Sequence, residues 1–317
     1  MQSPTNVDSA RGFGFALAAY VLWGFLPLYM KLLSHISTLE VLAHRVIWSI
    51  PIAGAVLWAL GRTDDLVAAL KSPRTLAMGA ITAMLISLNW GLYIWAIVSG
   101  HALDAAFGYY INPLFSVLLG AILLGEHLNK AKVLAILLAL AAVIVLTLDA
   151  QRFPTVAVGL TLTWGLYAYF KKSLPIGPNQ GFLLEVLLLA PPALAYAIYL
   201  AIFSHDSHFL RTAPLDTWLL LGCGVVTAVP LMLYANGAKF LRLSTIGMMQ
   251  YIVPTMIFLV AVFMFGEELG KARMIAFPMI WLALIIYTTS LLREARAASK
   301  STKPLDLSRV ELTSPDK

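Results

Sequence analysis

Three short stretches place ionisable or polar side chains inside otherwise apolar runs, where water is scarce and each such group must be paired or used. In "AHRVIWS", His44 and Arg45 are adjacent. Arginine offers a permanently charged planar fork of donors, which suits an anionic or carboxylate-bearing ligand. The alternative is that the two side chains, about five residues into their run, snorkel to the nearer interface. In "GFLLEVLLLAPP", Glu185 is the candidate proton-coupling carboxylate, because an embedded carboxyl exchanges a proton when its solvation changes. Its competing role is a structural pair with a lysine such as Lys172. In "NWGLYIWAI", Asn89 and Tyr93 stand four apart and share a helical face, with Trp90 beside them and Trp95 further on. An amide, a phenol and an indole around one cavity suit a flat or amphipathic ligand, while helix packing or an interfacial aromatic belt accounts equally for the tryptophans. Tyr110, Gln250 and Tyr251 complete the candidate binding residues, next to Pro113 and Pro254. A proline within a helix removes a backbone hydrogen bond and either exposes a carbonyl to a cavity or simply kinks the helix.

These groups need a scaffold that carries them through an apolar medium. Of the 317 residues, 60% are hydrophobic and 12% charged, and mean hydropathy is +0.83, which places the chain in a membrane. Ten runs approach the roughly 20 residues that a bilayer core requires: 13–33, 39–60, 74–98, 103–124, 131–149, 154–171, 180–203, 214–236, 245–265 and 272–292. The first is read as a retained helix rather than a cleaved signal. Residues 1–12 form a polar arm, and the polar tail 293–317 is expected to be disordered. Sixteen lysines and arginines fall on the side that holds both termini, against five on the other side and Arg45 within a span. The positive-inside rule therefore puts both termini in the cytoplasm and accounts for the net charge of +6 without a nucleic-acid partner.

The chain also repeats itself. Between Tyr110 and Ala135 an ungapped offset of 141 finds ten identities in 26, including Pro113/Pro254, Gly125/Gly266, Glu126/Glu267 and Lys130/Lys271. Further upstream the same offset pairs Trp23 and Gly24 with Trp164 and Gly165, Lys31 with Lys172, Tyr93 with Tyr234 and His44 with Glu185. Matches among Trp, Pro, Lys and Glu are not a product of apolar composition, so the chain is read as a duplication. Five spans per unit is an odd number, so the second unit, 154–292, enters the membrane upside down relative to the first, 13–149. Such inverted repeats favour alternating access. Lys31 and Lys172 are expected to snorkel, and Glu126 and Glu267 to cap or lock loops.

Together "WGFLPLYMK", "AHRVIWS", "NWGLYIWAI", "GYYINPL", the repeated "GE" and "LRLSTIGMMQYIVPT" make the chain similar to the EamA group of the drug/metabolite transporter superfamily. It most resembles the RarD branch, whose members are commonly labelled chloramphenicol-sensitivity permeases. The resemblance spans about residues 12–293 and implies a ten-helix secondary transporter of small metabolites or amphipathic compounds. No Gly-rich nucleotide loop, metalloprotease motif, serine elbow or Cys/His cluster occurs, and Cys223 is the single cysteine. The expectation is an all-α, multi-pass protein of a bacterial inner membrane that exports small amphipathic metabolites or drugs. It is not an enzyme, and it has no cofactor and no metal. The rival reading is a membrane receptor or accessory subunit that keeps the fold without moving cargo.

Overall fold

The computed structural model describes residues 9–301 apart from 62, 125–127, 151–152, 205–206, 238–239 and 242, and among these it is helical, with no strand. Helix α1 (Ala10–Leu32) starts where the Ser9 hydroxyl accepts a hydrogen bond from Gly12 N at 3.0 Å. It begins before the predicted Phe13 because the cap, and not the first apolar residue, sets the start. The hydroxyl of Ser37 caps α2 (Thr38–Ala59) in the same way. A short helix, α3 (Asp64–Leu70), leads to α4 (Pro73–Val98), which opens with Ser72 as cap and proline in the first turn. There follow α5 (Ala102–Leu124), α6 (Lys130–Ala150), α7 (Thr155–Lys172), α8 (Pro178–Phe203) and α9 (Pro214–Gly237).

Among the described residues, eight helices are long and apolar enough to cross a membrane: α1, α2, α4, α5, α6, α8, α9 and the last, α12 (Gly270–Ser301). Two of the ten predicted runs look different. The run 154–171 is the 18-residue α7, whose three threonines and terminal Lys171 and Lys172 dilute its apolar character. The run 245–265 is broken into α10 (Leu243–Met249), α11 (Ile252–Leu259) and a π-helical turn, Val260–Met264. Pro254 lacks the N–H that would bond the Gln250 carbonyl, and the break falls at Gln250 and Tyr251. The matched Pro113 lies within the uninterrupted α5, so the paired prolines do not have a common effect. Helix α12 continues past Arg293, the predicted start of the tail, to Ser301; Glu126 and residues 302–317 lie outside the described residues.

The principal packing contacts are orderly under the 141-residue offset, which pairs α1 with α7, α2 with α8, α4 with α9, α5 with α10 and α11, and α6 with α12. Helix α1 packs on α9 and α11, and α7 correspondingly on α4 and α5. Helix α2 packs on α9, and α8 on α4. The pairs α2/α8, α5/α11 and α6/α12 are their own counterparts. Each half is thus built into the other. The repeated Trp-Gly has a steric cause: a Cβ on Gly24 would overlap Met256 of α11, and one on Gly165 would overlap Phe115 of α5. Phe115 and Met256 are themselves 141 apart, so both contacts are the same contact made twice. Outward, Leu134, Leu137, Leu140, Ile144 and Leu148 form an exposed stripe along α6, a face suited to hydrocarbon and not to water.

The Gly-Glu pair also acts locally. Gly266, with φ of 67°, turns the chain out of the π-helical segment in a conformation that glycine adopts freely. Glu267 then reaches the start of α5, where its two oxygens accept from Ala102 N at 2.7 Å and Leu103 N at 2.9 Å. The acid satisfies two of the amide groups left open at a helix start and lies at the positive end of the helix dipole.

Candidate functional site

Between the two halves lies an open cavity. It is lined largely by matched positions. Trp23 and Trp164, Leu26 and Tyr167, Ile86 and Thr227, Trp90 and Leu231, Tyr109 and Gln250, and Asn112 and Val253 all face it, and the members of each pair are 141 residues apart. The positions repeat, but only Trp23 and Trp164 of these six pairs share a side chain, so the cavity is symmetric in scaffold and largely asymmetric in chemistry.

Arg45 supplies the charge. It is 3% exposed and projects from α2 with its Nε donating to Thr227 Oγ1 at 2.9 Å. Thr227 in turn donates to the Cys223 carbonyl at 2.7 Å, which aims its oxygen at the arginine. The guanidinium carbon lies 4.8 Å from the centre of the Trp90 ring, a cation–π arrangement that holds the planar group by its face. One terminal nitrogen, Nη1, is buried without a partner, as are the Tyr93 hydroxyl and the Asn112 Oδ1. All three residues line the cavity. Buried polar atoms are nearly always paired in native proteins, and these three orphans belong to residues of one cavity.

Behind the cavity wall, Glu185 is fully buried and paired with Lys171, whose Nζ lies 2.7 Å from Oε1. Tyr167, which lines the cavity, donates to Glu185 Oε2 at 3.3 Å. The carboxylate is therefore one side chain removed from the cavity, and its lysine is Lys171, not Lys172.

The residues 10–148 match the model of the EamA-like transporter family. The protein RarD of Escherichia coli K12 is 37% identical over 92% of this chain and 99% of its own length. An uncharacterized transporter of Vibrio cholerae is 39% identical over 94% of this chain and 99% of its own. This chain belongs to the EamA-like transporter family, in its RarD branch. The chloramphenicol-sensitive protein RarD of Pseudomonas aeruginosa is a further relative, 33% identical over 88% of this chain and 93% of its own. A solved crystal structure superposes with a TM-score of 0.57 at 19% identity, covering 89% of this chain and 98% of its own, a likeness of fold alone. The protein is a multi-pass membrane transporter, and its relatives of Vibrio cholerae and Bacillus subtilis are named as transporters rather than enzymes.

Of the candidate residues in this RarD-type chain, Arg45, Asn89, Trp90, Tyr93 and Gln250 line the cavity. Asn89 is already employed: its Nδ2 donates to the Leu160 carbonyl and to Thr163, and its Oδ1 accepts from Tyr109. It ties α4, α5 and α7 together and shapes the wall. Three candidates face elsewhere. His44 accepts from Trp48 Nε1 at 2.9 Å and packs on Phe209, ring centres 4.7 Å apart, because its neighbour Arg45 takes the cavity-facing side of α2. The adjoining chain is held by Glu40, whose carboxylate accepts from His208 N at 2.8 Å and meets His208 Nδ1 at 3.1 Å. Tyr110 shares a hydrogen bond of 2.8 Å with Thr255 and packs on Phe277 and Trp281. Tyr251 is outside the lining and sits at the start of α11. Trp95 is exposed and stacks on His101.

Tyr20, Trp23, Tyr109, Asn112, Trp164, Tyr167 and Thr227 also line the cavity and are additions to the candidate set. A signal for several of them was present: Trp23 and Trp164 match across the repeat, and Tyr109, Asn112 and Thr227 stand at the offset from Gln250, Val253 and Ile86.

Proposed function

We propose that this transporter carries small amphipathic metabolites or drugs outward across a bacterial inner membrane by alternating access. Its ten spans form two inverted five-helix units with both termini in the cytoplasm. The supporting observation is the cavity lined by equivalent positions of the two halves and holding three unpaired polar atoms, on Arg45, Tyr93 and Asn112. A cavity on the line that exchanges two halves can open to one side in one arrangement and to the other side when the halves swap roles. The broken α10–α11 segment counts as the ninth span in this reading and α7 as the sixth. The lysine and arginine distribution supports the orientation. Cargo makes contact through Arg45 and the aromatic walls. Glu185, linked to the cavity through Tyr167, is the group that would exchange protons with it.

Counterflow in proteoliposomes tests this whatever the coupling ion is, because exchange of like for like needs no imposed gradient. Vesicles are preloaded with an unlabelled amino acid, aromatic metabolite or amphenicol, and entry of the same labelled compound is followed. Saturable exchange with the native protein and its loss in Arg45→Gln support a carrier that uses this cavity. Binding without flux for every compound that binds would instead favour a receptor on a transporter scaffold.

A further inference from the structure

Among the described residues, the cavity has one charged group and no acid to balance it. Of those lining it, Arg45 alone is formally charged, and a guanidinium stays protonated in any accessible environment. Its Nη1 is buried and unpartnered, and no carboxylate among the described residues pairs with it. Glu185, the acid behind the wall, is already committed to Lys171 at 2.7 Å and screened by Tyr167. A buried charge left unpaired is strongly disfavoured, so the missing negative charge must come from what occupies the cavity.

We propose that the cargo is a small aromatic organic anion with no positive charge, a monocarboxylate and not an amino acid. This deepens the reading of the cavity as the transport site and rests on it. A carboxylate fits the free edge of the Arg45 fork, where Tyr93 and Asn112 offer neutral hydrogen-bonding groups to a second polar function. The aromatic body lies against Trp23, Trp164 and Tyr109. An ammonium on the same molecule meets no acidic residue in the lining and brings a second positive charge close to the guanidinium. The loaded cavity is then neutral, whereas the empty one keeps a bare buried cation. Reorientation of the empty carrier is the disfavoured step, so exchange outpaces net efflux.

The test is binding to the purified full-length protein in detergent, read by tryptophan fluorescence and calorimetry at neutral pH. Four probes share one skeleton and differ in charge: 3-phenylpropionate, 3-phenylpropanamide, phenylalanine and phenethylamine. The expected order puts 3-phenylpropionate about ten- to a hundredfold ahead of the other three, the range of one hydrogen bond to a charged group. In Arg45→Gln the anion loses this lead and the amide equals it; Arg45→Lys retains part of it. Phenylalanine or phenethylamine binding as tightly as the anion would overturn the proposal, as would binding of none of the four. The native protein's ranking alone decides the matter if Arg45→Gln does not fold. Counterflow of the same probes separates the two readings. The charge order in binding with no flux would remove the transport reading alone, and flux without the charge order would remove the anion assignment alone.

Discussion

Arg45 is oriented by Thr227 at its Nε and by the Trp90 ring at its face, and each restraint can be cut separately. Thr227→Val leaves a buried donor without its acceptor, a defect of about 1–3 kcal/mol. The half-saturation concentration in counterflow should rise about tenfold, since about 1.4 kcal/mol corresponds to that factor; an unchanged value would show that Thr227 does not position the guanidinium. Glu185→Gln leaves the partly buried Lys171 without its carboxylate, at a cost of about 1–3 kcal/mol. The denaturation midpoint in detergent should fall, and Lys171→Met in the same chain should recover most of it. That folded double variant also tests proton coupling: it should lose the response of flux to an imposed pH gradient, and a full response would take Glu185 out of that role. Arg45, Trp90 and Tyr93 were legible as cavity-lining residues because polarity inside an apolar run has few cheap explanations. His44, Tyr110 and Tyr251 carried the same signal and face elsewhere, since polarity does not reveal on which side of its helix a side chain stands. Tyr167 was not legible because an aromatic ring in a span is usually packing.

Helix contacts at Gly24 and Gly165 depend on the absence of a Cβ. Gly24→Ala forces Met256 to move, an overpacking that typically costs about 1–3 kcal/mol. The yield of monodisperse protein should drop and be restored by Met256→Ala in the same chain; failure of that rescue would show that the close approach is not the cause. The cap on α5 is separable from the cavity. Glu267→Ala should lower thermal stability by about 0.5–2 kcal/mol, the range for a lost helix cap, without changing which compounds exchange. The long helices could be placed from hydropathy, and the largest shift of a start is at α1, where the Ser9 cap lies outside the apolar run. The run 245–265 could be placed, but the break between α10 and α11 could not: "MMQYIVPTMIFLVAVFMF" stays largely apolar, and hydropathy does not register the hydrogen bond that Pro254 removes.

At the scale of the whole molecule, the duplication read from an ungapped offset reappears as paired helix contacts and as six matched pairs in the cavity wall. Five of the six matched pairs in the wall differ in side chain while Trp23 and Trp164 repeat, and outside the wall identity persists in "GE" and in the glycine of "WG". Inversion carries its own prediction. In a Cys223→Ala background, Lys271→Cys should react with a membrane-impermeant maleimide added outside intact spheroplasts and Lys130→Cys should not. Both sites are exposed, and reaction of both from the same side would contradict the inverted repeat.

Alternating access through one cavity is the central claim, and Leu231, the apolar counterpart of Trp90 in the wall, gives the most direct access to it. Leu231→Cys in the Cys223→Ala background should be labelled by an impermeant thiol reagent from either face of oriented membranes, and cargo should protect it from both. Labelling from one face only, whatever cargo or gradient is applied, would contradict the account.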